Sequence, residues 1–267
     1  MRKDFEIKEH YQIQDLLQIM RILRGDDGCP WDREQDHDTI RKNMIEETYE
    51  VVEAIDRKDS DMLCEELGDV LLQVVFHARM EEEAGGFNFD DVCDGICQKL
   101  ILRHPHIFGD VVAKTSEQVL NNWDEIKKKE KGQKTATDTL RSVPAVLPAL
   151  MRAEKVQHRA AKTGFDYPDP AGAFADLKSE VVELEEALQA QNAAHIQEEL
   201  GDVLFSVVNV ARKLHIDPEE ALTRSTEKFM DRFDKVERIA TNRGVRMSDS
   251  SLDELNALWA QAKEDTK

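Results

Sequence analysis

Long apolar runs are missing from this chain. No stretch reaches the ~18 apolar residues of a membrane span, and Met1-Arg2-Lys3-Asp4-Phe5-Glu6 offers no apolar signal region. A cytoplasmic protein with no membrane partner is therefore expected. Cysteine is scarce and unpaired in pattern: Cys29, Cys64, Cys93 and Cys97 all fall in the first half without a C-x-x-C pair, which argues against a disulfide framework. A zinc site built from Cys93, Cys97, His104 and His106 is set aside, because an i, i+4 pair on a helix is ordinary packing. Basic charge is also lacking, with 36 Lys and Arg against 55 Asp and Glu and a net charge of −19. No basic stripe runs along the chain, so a nucleic-acid partner is not expected, whereas a small anion held through a metal ion is compatible. Period-2 alternation is missing too, and helical periodicity takes its place almost throughout. The fold class read from this is all-α.

What is present is an acidic pattern written twice. Glu47 and Glu50 lie one helical turn apart, and Glu66 and Asp69 repeat the spacing after a break near Lys58. Adding 133 to each number gives Glu180, Glu183, Glu199 and Asp202, and Glu65 to Leu71 recurs letter for letter as Glu198 to Leu204. The chain is an internal duplication. Residues three apart on a helix share a face, so each pair is one acidic patch. An antiparallel hairpin turning near Lys58 sets Glu50 against Glu66 and Glu47 against Asp69. The second copy does the same about Gln191, with Glu183 facing Glu199 and Glu180 facing Asp202. Four carboxylates are expected to converge in each copy.

Leu67, Val70, Leu71, Leu72, Val74, Val75 and Phe76 wrap almost the whole circumference of their helix, as do Val203, Leu204, Phe205, Val207, Val208 and Val210 in the second copy. Such helices are expected to be buried. Units of this size made of thin hairpins bury a modest core, so an all-round apolar helix calls for a partner chain, and a homodimer is expected. Carboxylates packed beside apolar surface repel one another, and a hard cation resolves the conflict. Gly68 and Gly201 sit between the acids at a cost of about 1 kcal/mol each relative to Ala. Close approach of another backbone or a ligand is the expected reason.

The architecture read from the pattern is a tandem of duplicated helical-hairpin domains, four-helix-bundle-like and assembling as a dimer. The boundaries are residues 1–131, a polar linker over 132–144, and 145–267. A long helix after Asp217-Pro218 carries Lys228 and Arg232 at i, i+4 on one face, and Lys99 with Arg103 shows the same spacing. A closing helix carries Trp259 and Lys263, repeating Trp123 and Lys127. Magnesium takes oxygen ligands and is held by one or two carboxylates plus substrate phosphates, so four carboxylates suit more than one ion. Lys and Arg can grip the phosphate oxygens left over, and Trp259 offers a face for a base. A nucleotide fits all three.

The motif E-E-x-x-E followed by E-x-x-D stands here as Glu46-Glu47-Thr48-Tyr49-Glu50 with Glu66-Leu67-Gly68-Asp69. It stands again as Ser179-Glu180-Val181-Val182-Glu183 with Glu199-Leu200-Gly201-Asp202, where Ser179 departs from the leading Glu. By these motifs the chain resembles the two-copy form of the MazG family of nucleoside triphosphate pyrophosphohydrolases along essentially its whole length. The resemblance implies Mg²⁺-dependent hydrolysis of NTPs and dNTPs to monophosphate and pyrophosphate, with attack at the α phosphorus, broad base tolerance and a homodimer. It also implies Lys228, Arg232, Trp259 and Lys263 as nucleotide contacts. Glu180, Glu183, Glu199 and Asp202 are then the metal ligands of the catalytic copy, and Glu47, Glu50, Glu66 and Asp69 their counterparts in a copy serving assembly. Glu198 is a candidate to orient or deprotonate the attacking water, and any unliganded carboxylate of the cluster could serve instead.

Two other classes of function share parts of this pattern. A di-iron carboxylate oxidase uses Glu-x-x-His, whereas Asp69 and Asp202 fill the final positions here, with no His read in register. A non-catalytic, metal-stabilised dimeric scaffold or nucleotide sensor is separated from the enzyme by an assay of pyrophosphate release.

Overall fold

The computed structural model describes residues 5–130 and 132–264. It is 74% helical, with no strand among the described residues, as the all-α reading expects. In chain order the helices are α1 (Ile13–Leu23), α2 (Pro30–Glu34), α3 (Arg41–Arg57), α4 (Ser60–Glu83), α5 (Phe89–Arg103), α6 (Pro105–Phe108), α7 (Ser116–Glu130), α8 (Ala136–Arg141), α9 (Ala149–Ala161), α10 (Pro170–Ala190), α11 (Ala193–Lys213), α12 (Pro218–Asn242) and α13 (Leu252–Glu264). The chain divides into two compact units between Ile126 and Lys127.

Each unit is built on one hairpin, α3 with α4 and α10 with α11. Their turns are the same device at equivalent positions. Lys58 ends α3 in the left-handed region at φ 55°, and Gln191 ends α10 there at φ 52°. The next residue caps the returning helix. Asp59 accepts from the amides of Asp61 and Met62, and Asn192 accepts from those of Ala194 and His195, which satisfies donors that the first turn leaves orphaned. Ala54 and Ala187, fully buried near these turns, keep each hairpin tight.

In the first unit α1 packs on α4, and the core gathers Met20, Ile40, Val75, Phe76 and Met80. Arg24 fastens this unit: its guanidinium lies 5.2 Å over the Phe76 ring, donates to Glu83, and donates to the backbone carbonyls of Asp32 and Gln35. In the second unit α9 and α12 pack on α11 and α9 respectively, while α13 folds back on α12 around Val236, Ala240, Leu258 and Ala262.

Three differences from the sequence reading have physical causes. The polar stretch read as a linker contains α8, started by Thr135, whose hydroxyl accepts from the Asp138 amide while Asp138 accepts from the Thr135 amide. Pro105 ends α5 and also starts α6, because its missing N–H is no loss at a first helical position. The apolar helices are not buried all round. Leu67 and Leu71 on α4 and Leu204, Phe205 and Val207 on α11 remain 39–51% exposed, because a hairpin with one or two packed neighbours covers only part of the circumference.

Candidate acidic metal centre

The mirror spacing puts α3 and α4 acids face to face. Glu47, Glu66 and Asp69 each bring an oxygen within 4.8 Å of the others. Three of the four expected acids thus converge, and Glu50 acts on Glu47 and Glu66 from beside them. Burial, then the neighbouring Glu50, Asp69 and Glu66, all push the Glu47 carboxyl up, and burial with the surrounding acids does the same to Glu66.

The second copy brings Glu180, Glu199 and Asp202 together within the same 4.8 Å. Glu180 is pushed up by burial, then by Glu183, Asp202, Asp176 and Glu199. Glu183, which the hairpin mirror sets opposite Glu199, instead accepts from the Ser179 hydroxyl at 3.3 Å. Ser179 stands where the motif has Glu, so the departure has a structural use. Glu198 lies exposed beside Glu199.

Three neighbours of this cluster went unread in the sequence. His195 Nε2 lies 2.8 Å from Glu199 Oε1, and its signal was the i, i+4 spacing on one helix. Asp176 precedes Glu180 by one turn and accepts from the Ser206 hydroxyl at 3.1 Å. Tyr167 also bonds Asp176, and that bond, with burial, pushes its phenol up to about 12. In the first copy these places hold Met62, Asn43 and Glu34. His195 precedes Glu199 by four residues, so it does not make a Glu-x-x-His pattern, and Asp202 keeps the final position.

Close approach at the two glycines is not made among the described residues. A Cβ added at Gly68 or Gly201 meets nothing within 4 Å.

The residues expected at the nucleotide lie on the α12–α13 hairpin. Trp259 packs against Phe229, ring centroids 5.1 Å apart. Lys228 and Lys263 are exposed, and Arg232 is half-buried with an Nε that has no hydrogen-bond partner. Among the described residues no hydrogen bond joins these four side chains to the acids.

The donor set fits a hard divalent cation. It is all carboxylate oxygen, it converges in both copies, and mutual repulsion already raises several of its members. One stability consequence has a definite sign. A carboxyl whose native pKa is raised binds its proton more tightly folded than unfolded, so stability falls as pH rises from the ordinary glutamate value of 4.5 through the raised native values. For chelator-treated protein, Glu47→Gln together with Glu180→Gln is expected to shrink the loss of Tm between about pH 4.5 and about pH 7.5. Calorimetry showing the same loss in wild type and variant would contradict this.

The family model for the MazG nucleotide pyrophosphohydrolase domain matches residues 35–108 and again residues 170–237. Each acidic hairpin falls inside one matched segment. A Thermotoga maritima protein named nucleoside triphosphate pyrophosphohydrolase/pyrophosphatase MazG is 42% identical over 250 residues, covering 94% of this chain and 95% of its own. An Escherichia coli K12 protein named nucleoside triphosphate pyrophosphohydrolase is 46% identical over 255 residues, covering 94% of this chain and 97% of its own. Bacillus subtilis YabN is 45% identical over 256 residues, covering 96% of this chain and 52% of its own.

Proposed function

The chain belongs to the MazG nucleotide pyrophosphohydrolase family, and on that premise we propose that it is a cytoplasmic enzyme hydrolysing NTPs and dNTPs to monophosphate and pyrophosphate with Mg²⁺. The observation that supports this most is the recurrence of three converging carboxylates 133 residues apart, inside both matched segments. Glu180, Glu199 and Asp202, with Glu183 beside them, hold the ion in the second copy. When bound, Mg²⁺ lowers the pKa of a coordinated water and offsets charge developing on the phosphates.

The chain's own groups do the rest. Lys228 and Lys263 meet phosphate oxygens as point charges, Arg232 as a fork, and Trp259 carries the base on the ring face left by Phe229. Glu198 sits at the edge of the cluster, where it is placed to accept the proton of the attacking water. The test is pyrophosphate release from mixed triphosphates with Mg²⁺ and with chelator. Release of inorganic phosphate alone, or none with Mg²⁺, overturns the reading.

We further propose a homodimer, because exposed Leu67, Leu71, Leu204, Phe205 and Val207 form apolar faces on the hairpins that carry the acids. Light scattering is expected to give twice the chain mass at micromolar concentration. A monomer there contradicts it.

A further inference from the structure

We propose that His195 is a positioning residue which orients Glu199 and makes the second acidic cluster the tighter divalent-cation site of the two. The proposal rests on reading that cluster as a cation site.

Glu199 is the most enclosed of the acids, its side chain 8% exposed. A carboxylate in that setting needs a donor to replace lost water. His195 supplies one from the turn before, Nε2 to Oε1 at 2.8 Å. Its own backbone is fixed, because Asn192 accepts from the amides of both Ala194 and His195 at the start of α11. The bond confines the Glu199 carboxylate while leaving it within 4.8 Å of Glu180 and Asp202. A neutral imidazole donates this bond as well as a charged one, so no titration is required. Carboxylates that ligate metals are in turn held by hydrogen bonds, and losing such an outer partner typically costs about 10–100-fold in metal affinity.

The first copy is an internal control. Met62 stands where His195 does, and a thioether cannot donate. Both triads are otherwise alike in residue type and closeness. The histidine is therefore the polar difference at Glu199, as Asp176 is at Glu180.

The test titrates Mn²⁺ into nucleotide-free, full-length protein carrying Glu47→Gln and Asp69→Asn, so that paramagnetic resonance counts the second cluster. His195→Met is expected to weaken Mn²⁺ about tenfold. His195→Gln, whose amide can donate at i, i+4, is expected to restore most of that. In the reciprocal background, Glu180→Gln with Asp202→Asn, Met62→His is expected to tighten the first cluster. Mn²⁺ affinity within twofold of the parent for His195→Met, or a Gln variant as weak as Met, overturns the proposal. An unchanged Mn²⁺ affinity with a raised KM makes His195 a substrate contact instead and also overturns it. If the parent binds no Mn²⁺ at all, the cation reading itself has failed.

Discussion

Glu180→Gln with Asp202→Asn is expected to eliminate pyrophosphate release, while Glu47→Gln with Asp69→Asn lowers it by less than about fivefold, roughly 1 kcal/mol of barrier. Both pairs remove two of three converging oxygens, so a difference must come from what surrounds them. Family membership does not rank the copies either, since both segments match. The ranking comes from the basic and aromatic groups. Arg103 is the last residue of α5, with His104 following in a non-helical conformation, whereas Arg232 lies inside α12, which continues to Asn242. A mid-helix start confines a side chain and lowers the entropy lost when it grips a phosphate. The tryptophans differ as well. Trp123 meets the His104 ring edge-on at 4.9 Å, while Trp259 tilts against Phe229 on a closing helix held by Leu258 and Ala262. Steady-state pyrophosphate assays on the two double variants decide it. Equal losses, or a greater loss from the first-copy variant, would show that the first copy carries the chemistry or shares it.

The hairpins were legible because their information is local and repeated. A turn at Lys58 and one at Gln191 follow from the mirror of the acids, and each is followed by an Asx cap that any helix start favours. The convergence of Glu47 with Glu66 and Asp69 follows from the same mirror. What was not legible depends on groups distant in sequence or outside the chain. Asp176 gains its meaning from Ser206 and Tyr167, 30 residues on in the hydrogen bond to Ser206 and in a separate loop for the phenol. Apolar periodicity marks Leu67 and Leu204 as wanting cover but does not say whose, and the single chain leaves them half exposed. Pro105 carries two signals at once, a stop for α5 and a start for α6, and the start was passed over, as was the Thr135–Asp138 capping box inside a polar stretch.

Arg232→Met is expected to lower kcat/KM on the order of 100-fold, roughly 2.7 kcal/mol, without lowering Tm. The opposite signs follow from one atom. Arg232 Nε is buried with no hydrogen-bond partner, and an orphaned buried donor costs about 1–3 kcal/mol. Removing it from the free protein relieves that cost, and Met keeps much of the length of the apolar stem. A phosphate oxygen is the natural partner for the orphan, since a guanidinium presents parallel donors that match two oxygens at once. Arg232→Lys is then expected to recover only part of the activity, because an ammonium supplies the charge without the fork. Steady-state kinetics beside thermal melts separates the cases. If activity and Tm fall together in Arg232→Met, the guanidinium is a structural group. If Lys restores full activity, charge alone matters and the orphaned Nε is incidental.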